Sequence, residues 1–334
     1  MMPSLSRRAF LAGAACSCCH PSWAAGSSAR LALFGRNEAR LLEGPLRDQF
    51  EYQQALFLNL DDDALLKPFR HRAGLPDPGA DLGGWYDDSP DFHCEQGDPH
   101  VDFHGYIPGH NFGQFVSGLA RGFAATGDLR VQAKLKGLIE AYGATVSPRF
   151  FEDYNLPAYT FDKLVVGLID AGQEAGIVSA RPALDRLADT ALPFLPEKAL
   201  TREEMQQRPH RRWAQTWDES YTLPENLLLA YERGFGDRYR ELGARYIQDD
   251  TLFAPLARGE NILGGLHAYS HVNALSSAVQ SYLTLGEPRY LRAAVNGFAM
   301  VEAQSYATGG WGPDETLAGN DGGGRAGRQP QPHP

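Results

Sequence analysis

The sequence predicts an all-α fold, a toroid of helical hairpins of the (α/α)6 type. The first observation is a set of turns in which glycine precedes an acidic residue. Each turn lies between the two amphipathic stretches of one pair. These turns lie at Gly127, Gly236 and Gly286, and a weaker relative surrounds Gly176. They recur about every 50 to 60 residues, which is typical of repeated supersecondary units. About four to five hairpins fit into the chain, so we expect the ring to be incomplete.

The second observation is a difference in composition within each pair of stretches. The first stretch carries more small and apolar residues, and the second carries more Arg, Lys, Asp and Glu at helical spacing. This pattern indicates an inner helix that is buried on two sides, followed by an outer helix with one face in water. Glycine at the turn supplies the left-handed conformation that ends a helix.

Long segments between the predicted hairpins contain most of the Trp, His, Pro and Gly residues. Loops of this length in a compact domain are usually functional or disordered. Because disordered loops avoid tryptophan, the tryptophans within these segments favour ordered, functional loops. The segments are 72–107, 145–159, 195–222 and 303–316.

The N-terminus predicts an exported protein. The run S-R-R-A-F-L from Ser6 to Leu11 matches a twin-arginine export signal, and the apolar run beside it is too short to span a bilayer. We therefore expect a signal peptide over residues 1–25, a helical domain over 30–316 and a disordered tail over 317–334. The mature protein is predicted to be periplasmic or secreted, with no transmembrane segment after signal cleavage.

Charge and cysteine content narrow the possible functions. The net charge of −10 at pH 7 argues against a nucleic-acid partner, because phosphate binding needs basic patches. Three of the four cysteines lie inside the predicted signal peptide, so cleavage would leave Cys94 and no intramolecular disulfide. The sequence also contains no G-x-S-x-G motif, P-loop or strand-linked dinucleotide fingerprint.

Three loops combine tryptophan with carboxylates in a way that is typical of carbohydrate sites. Aromatic faces stack on the C–H surfaces of sugars, while carboxylates and amides bond the hydroxyl groups. A single such loop is equally well explained by a tryptophan that fills space, but three in one predicted toroid favour a sugar-binding cleft. The candidate binding residues are Trp85, Trp217 and Trp311.

A cluster of histidines raises the question of a metal site. His93, Cys94, His100, His104 and His110 offer five potential ligands in about 18 residues. A structural zinc site usually shows tighter paired spacing, and the proline and glycines in this segment favour a loop. We therefore favour histidines that line a polar cleft, and we predict no metal ligand in this chain.

Five motifs, taken in order, carry a resemblance to a known family. They are L-G-G-W from Leu82, G-H-N-F-G-Q-F-V-S-G-L-A from Gly109, L-P-A-Y-T-F-D-K-L-V-V-G-L-I-D-A from Leu156, R-G-E-N-I-L-G-G-L-H-A from Arg258, and Y-A-T-G-G-W-G-P-D-E from Tyr306. Together they resemble the family 127 glycoside hydrolases, the β-L-arabinofuranosidase-like proteins, over about 280 residues.

The resemblance implies an (α/α)6 barrel followed by β-domains, and a carbohydrate as substrate or ligand. It also implies a retaining mechanism, with a glutamate as acid/base and a zinc-bound cysteine as nucleophile. Glu315 matches the acid/base glutamate. His110 and Lys163 match positions that bind substrate, and His267 matches such a position more loosely.

Two features of the sequence depart from the family pattern. Gln114 and Asp162 stand where many members have histidine, which leaves the sugar specificity open. In the family, the zinc ligands and the cysteine nucleophile follow the acid/base glutamate, whereas this sequence has no cysteine after Cys94. The Gly-, Arg- and Pro-rich run after Glu315 is what a frameshift or premature stop would leave. We therefore expect zinc only in full-length relatives, no cofactor in this chain, and impaired hydrolysis.

Two other functions stay open. The first is a carbohydrate-binding protein that keeps the aromatic loops and performs no chemistry. The second is an unrelated α/α-toroid sugar enzyme that uses Glu219 and Glu225, since the segment W-D-E-S-Y-T-L-P-E-N could place both side chains near one cleft. Glu225 is also a candidate substrate-binding residue under the family reading. The sequence predicts no particular oligomeric state.

Overall fold

A computed structural model describes residues 34–82, 107–207, 218–306, 309–311 and 315–317, with the side chains of Arg202 and Gln206 excepted. Within these ranges the regular structure is helical, and the β pairing consists of an isolated antiparallel bridge between His267 and Thr316. This confirms the predicted all-α fold. Apart from Phe34, the described residues belong to one compact unit, Gly35–Pro334.

Twelve α-helices make up most of the described chain. In order they are α1 (Pro45–Asn59), α2 (Asp62–Ala73), α3 (His110–Thr126), α4 (Leu129–Thr145), α5 (Pro157–Ala175), α6 (Ala180–Ala191), α7 (Arg202–Gln207), α8 (Leu223–Glu232), α9 (Arg238–Arg245), α10 (Ala254–Ala257), α11 (Ala268–Leu285) and α12 (Pro288–Gln304). Single turns of 3-10 helix cover Arg36–Glu38, Pro148–Phe151, Leu192–Phe194 and Ser220–Thr222, and a π turn covers Asp249–Phe253. None of the described helices is both long enough and apolar enough to cross a membrane.

Four of these helices form an inner row, in the order α3, α5, α8 and α11. Each packs against the next one in the row, and each is followed in the chain by an outer partner, α4, α6, α9 and α12 respectively. The chain reverses once inside each hairpin and again in the connection to the next hairpin, so the four inner helices run in the same direction. Their N-terminal ends therefore lie on the same side of the row. This arrangement is the helical-hairpin toroid that the composition predicted.

The closest approach in the row is between α3 and α5, and it depends on glycine. A Cβ atom added at Gly113 would overlap the carbonyl oxygen of Lys163, and one added at Gly167 would lie 2.5 Å from the carbonyl oxygen of Gly113. The two backbones therefore touch where neither helix carries a side chain. This contact fixes the positions of the first turns of both helices, which carry candidate site residues.

The turns within the hairpins follow the prediction in three of four cases. Gly127, Gly176 and Gly286 adopt φ values of 70°, 68° and 78°, and each donates its N–H to a carbonyl of the helix that it ends. The exception is the turn after α8, where Gly234, with φ 77°, lies in the left-handed region and donates to Tyr231. The cap of α8 is therefore two residues before Gly236, because that helix ends earlier than the glycine–aspartate pair indicated.

A fully buried carboxylate on α5 links this helix to α3 and to the end of α8. Asp170 on α5 accepts hydrogen bonds from Ser117 Oγ at 2.6 Å and Arg121 Nε at 2.7 Å, both on α3, and from Arg233 Nη1 at 2.7 Å after α8. Buried carboxylates are stable only when paired and hydrogen-bonded in this way. Removing one partner would leave an uncompensated charge, so this group holds three inner helices in register.

Candidate active site

The candidate site lies where the N-terminal ends of the four inner helices converge. His110 is the first residue of α3, and Tyr159 and Lys163 lie in the first two turns of α5. Glu225 lies in the first turn of α8, and His267 directly precedes α11. Unpaired backbone N–H groups and the positive end of the helix dipole favour acceptor-rich ligands at this end of a helix.

Lys163 and Asp162 form a largely buried ion pair near the start of α5. Lys163 Nζ donates to Asp162 Oδ2 at 3.2 Å, and Asn226 Nδ2 on α8 donates to the other oxygen, Oδ1, at 2.8 Å. Burial alone would lower the pKa of Lys163, but the charge and hydrogen bond of Asp162, together with the charges of Tyr159 and Glu225, outweigh burial and raise it. Lys163 is therefore a protonated donor, and Asp162, which also accepts from Asn226, links α5 to the first turn of α8.

Glu225 is the carboxyl whose protonation the site changes most. Burial raises its pKa to about 7, and the negative charge of Asp162 adds to the effect, while Lys163 and Arg121 oppose it. Its backbone N–H donates to Ser277 Oγ of α11 at 3.2 Å, which anchors the start of α8 to the next inner helix. A carboxyl with this pKa exchanges its proton near neutral pH, which is the property of a general acid or base.

The Tyr159 ring lies against the ammonium group of the ion pair, and the His110 ring lies beside Tyr159. Lys163 Nζ lies 4.9 Å from the centre of the Tyr159 ring, and the His110 ring lies 5.9 Å from the same ring. Burial raises the pKa of Tyr159, so its hydroxyl stays protonated and can donate to a ligand. Asp218 Oδ1 accepts from the Tyr159 backbone N–H at 2.9 Å and fixes the start of α5.

His267 is held by a carboxylate from the segment before α8. Its Nδ1 lies 2.9 and 3.1 Å from the two oxygens of Glu219. Both side chains are largely covered by the protein, with 14% of His267 and 10% of Glu219 exposed. The charge of Glu219 also contributes to the raised pKa of Tyr159, which places the His267–Glu219 pair beside the Tyr159–Lys163 pair.

Glu315 approaches His267 from the opposite side. Residues 315–317 run antiparallel to residues 265–268, with Ala268 N–H donating to the Glu315 carbonyl at 2.7 Å and Leu317 N–H donating to the Leu266 carbonyl at 2.9 Å. Glu315 adopts φ 54°, an uncommon left-handed conformation for a residue with a side chain. Its Oε2 lies 3.6 Å from His267 Nε2, and 62% of its side chain is exposed.

Trp311 lies at the edge of this group. Its ring packs edge-on against Tyr269, with 6.4 Å between ring centres, and Tyr269 in turn lies 5.4 Å from the His267 ring. The backbone bond from Tyr306 N–H to the Gly310 carbonyl, at 2.8 Å, folds this segment back on itself. Trp311 thus contacts Tyr269, which in turn contacts His267.

The model of the β-L-arabinofuranosidase catalytic domain, glycoside hydrolase family 127, matches residues 38–322. This chain belongs to that family. None of the curated proteins compared with it is similar enough to count as a match.

The matched region of this family 127 domain spans every helix from α1 to α12 and includes Glu315. The structure brings together five of the predicted site residues, His110, Lys163, Glu225, His267 and Glu315, and places Trp311 at their edge. Trp85 and Trp217 lie outside the described residues. So do His93, Cys94, His100 and His104.

The described part of the chain holds no counterpart of the zinc site that the resemblance implies. No group of three or more His, Cys, Asp or Glu among the described residues could hold a metal ion. His110, the described member of the histidine cluster, has its Nδ1 3.0 Å from the Ile107 carbonyl oxygen. The implied cysteine ligands have no counterpart after Glu315 in the sequence.

Sequence reasoning missed three features of this candidate site. The first is Tyr159, whose spacing of four residues from Lys163 could have been read as one face of a helix. The second is the pairing of Glu219 with His267, which are 48 residues apart. The third is Arg121, whose charge acts on both Asp170 and Glu225. The last two features join residues that are far apart in the sequence, and no local pattern predicts them.

Proposed function

We propose that this chain binds an arabinofuranoside-type glycan at the N-terminal ends of α3, α5, α8 and α11, with Glu315 as the acid/base residue. The observation that supports the proposal most directly is the backbone pairing of residues 315–317 with 265–268, beside His267. This pairing brings Glu315, which matches the acid/base glutamate implied by the resemblance, beside His267 with its side chain largely exposed.

The chemistry of the cleft suits a neutral sugar. Lys163 and the Tyr159 hydroxyl are donors. In its neutral form His110 donates from Nδ1 to the Ile107 carbonyl, which leaves Nε2 as an acceptor. Glu219, Glu225 and Glu315 are acceptors when ionised. Sugar hydroxyls both donate and accept, so they can satisfy a mixture of this kind. An aromatic ring beside such groups, here Tyr159, supplies the apolar face on which the ring C–H bonds of a sugar pack.

The exposure of the Glu315 side chain supports an acid/base role. A general acid in glycoside hydrolysis protonates the leaving oxygen, so its carboxyl must reach the ligand from the open side of the cleft. The exposure of Glu315 meets this requirement. We propose that hydrolysis by the polypeptide of these 334 residues is slow, because no cysteine follows Cys94 to serve as the nucleophile.

Isothermal titration of the chain with methyl β-L-arabinofuranoside tests the binding proposal. We expect saturable binding that weakens about tenfold or more in Lys163→Met, since one charge-assisted hydrogen bond contributes about 1.5 to 3 kcal/mol. The matched control is Lys136→Met, which changes an exposed lysine paired with Glu140 on α4. Absence of binding in the unaltered chain, or equal loss in both variants, would contradict the proposal.

A second candidate is a toroid enzyme that uses Glu219 and Glu225, and the raised pKa of Glu225 is the observation that favours it. The two readings differ in which substitution stops turnover of an aryl arabinofuranoside. The main proposal predicts that Glu315→Gln lowers the rate by about 10²- to 10⁴-fold while sugar binding is kept. A rate that falls in Glu225→Gln and stays unchanged in Glu315→Gln would favour the alternative.

We also propose that the chain is exported by the twin-arginine route to the periplasm or beyond. The support is the S-R-R-A-F-L run near the N-terminus. Cell fractionation of the full chain and of an Arg7→Lys, Arg8→Lys variant tests this. Periplasmic protein that disappears in the variant is expected, and equal distribution of both chains would refute the proposal.

A further inference from the structure

His267 lies between two carboxylates that contact different nitrogens of its ring. Glu219 contacts Nδ1 with both oxygens, at 2.9 and 3.1 Å, and Glu315 Oε2 lies 3.6 Å from Nε2. The two carboxylates differ in environment, because Glu219 is buried and Glu315 is largely exposed. A ring held in this way presents one fixed nitrogen to each neighbour.

The buried contact determines which nitrogen carries the proton. An ionised carboxylate accepts hydrogen bonds and cannot donate one, so Nδ1 must donate to Glu219. Ser270 Oγ, 3.2 Å from Nδ1, could donate to that nitrogen in the opposite tautomer. That alternative would place the Nδ1 lone pair against two carboxylate oxygens, which are nearer and repel it. The geometry therefore selects the Nδ1–H tautomer.

Neighbouring groups keep the ring in this orientation. The His267 carbonyl accepts from His271 Nδ1 at 2.7 Å, which fixes the backbone at the start of α11. Tyr221 OH lies 3.0 Å from Ser270 Oγ and 3.4 Å from His271 Nδ1, so the same network extends to the segment that carries Glu219. Supporting hydrogen bonds of this kind determine histidine tautomers in functional sites.

We propose that Glu219 is a positioning residue that fixes His267 as the Nδ1–H tautomer, so that His267 Nε2 exchanges protons with Glu315. The inference rests on the proposed role of Glu315 as acid/base. It adds a group that restores the proton of Glu315 after each transfer. His267 thereby has a role in proton transfer beyond contact with a sugar.

The proton balance of this exchange is complete within the three residues, the ligand and water. Glu315 gives its carboxyl proton to a ligand oxygen and becomes a carboxylate. The water molecule whose oxygen adds to the sugar carbon freed by cleavage of its bond to that oxygen loses a proton to His267 Nε2, and the resulting imidazolium faces the carboxylate of Glu219. It then passes the Nε2 proton to Glu315 and returns to the neutral Nδ1–H form. The distance of 3.6 Å shortens by a small rotation of the exposed Glu315 side chain, or is bridged by one water.

Nitrogen-15 NMR of the ligand-free full chain tests the tautomer directly. In protein labelled at histidine, the two ring nitrogens of a neutral histidine differ in shift according to which one carries the proton. The chain has ten histidines, so a His267→Gln variant assigns the signals of this residue. The spectrum is then recorded for the unaltered chain, for Glu219→Gln and for a control, Glu302→Gln, which removes an exposed carboxylate at the end of α12.

We expect the unaltered chain and the control to show His267 predominantly protonated at Nδ1. In Glu219→Gln this preference should fall, because an amide both donates and accepts and no longer selects one tautomer. An Nε2–H tautomer in the unaltered chain overturns the proposal even if Glu219→Gln does not fold, and so does an unchanged Nδ1–H fraction in a folded Glu219→Gln. Since the measurement needs no sugar, failure of sugar binding and failure of the tautomer assignment are separate results.

Discussion

At the scale of single residues, the surroundings of each carboxyl in the cleft give it a different chemistry. Glu219 is buried and engaged by His267, Glu225 is buried beside Asp162, and Glu315 is largely exposed next to His267 Nε2. Burial next to a like charge disfavours the ionised form, whereas an adjacent donor favours it. Glu219 can therefore position His267, Glu225 can carry a proton near neutral pH, and Glu315 can contact the ligand.

The raised pKa of Glu225 predicts a specific dependence of stability on pH. In the folded protein Glu225 keeps its proton to about pH 7, against an ordinary pKa of 4.5, so the unfolded chain releases the proton first. The free energy of unfolding therefore falls as pH rises from about 4.5 to about 7. Glu225→Gln lacks this fall, and we expect it to gain about 1 to 3 kcal/mol relative to the unaltered chain between pH 4 and pH 8.

Urea unfolding at several pH values measures this difference. The control is Glu302→Gln, whose carboxylate is exposed, and which should follow the unaltered chain throughout. If Glu225→Gln also follows the unaltered chain, the carboxyl of Glu225 is ionised in the folded protein at neutral pH, and the pKa argument is wrong.

At the scale of elements, the inner helices are positioned by a glycine contact. Gly113 on α3 and Gly167 on α5 let the two backbones touch, and Lys163, whose carbonyl faces Gly113, carries its ammonium group into the cleft. The position of the site is thus coupled to packing one turn away. A change that separates α3 from α5 would displace His110 and Lys163 together.

Replacing Gly113 with alanine tests this coupling. The added Cβ would overlap the Lys163 carbonyl oxygen, so the helices must move apart, and overpacking of this kind typically costs about 1 to 3 kcal/mol. Gly137→Ala on α4 is the matched control, because nothing lies within 4 Å of its added Cβ. Alanine there should stabilise the helix by about 0.5 to 1 kcal/mol. Equal effects of the two substitutions on urea unfolding would show that α3 and α5 do not touch at Gly113.

The sequence predicted those elements that repeat. Helical periodicity and glycine turns identified the four hairpins from α3 to α12, because each turn needs a left-handed residue and each inner helix needs small residues. The sequence did not reveal α1 and α2, which precede the first such turn; α1 has no buried residue among those described, so its apolar pattern is weak. The cap at Gly234 was missed because two glycines lie close together and either could end α8.

At the scale of the whole molecule, the candidate site could be predicted in part. Family motifs indicated His110, Lys163, His267 and Glu315, and the convergence of inner helix ends then brings them to one place. The partners that set their chemistry could not be predicted in this way. Glu219 and Asp162 act on His267 and Glu225 across helices, at separations of 48 and 63 residues in the chain, where no sequence period applies.

The central claim is that a sugar binds where the inner helices begin. A crystal structure of the full chain soaked with methyl β-L-arabinofuranoside tests it most directly. We predict density for the sugar between Lys163 and Glu225 on one side and His267 and Glu315 on the other. A sugar bound instead in the cavity of about 1130 Å³ between α1 and the α3–α4 hairpin, or no bound sugar at a saturating concentration, would contradict the claim.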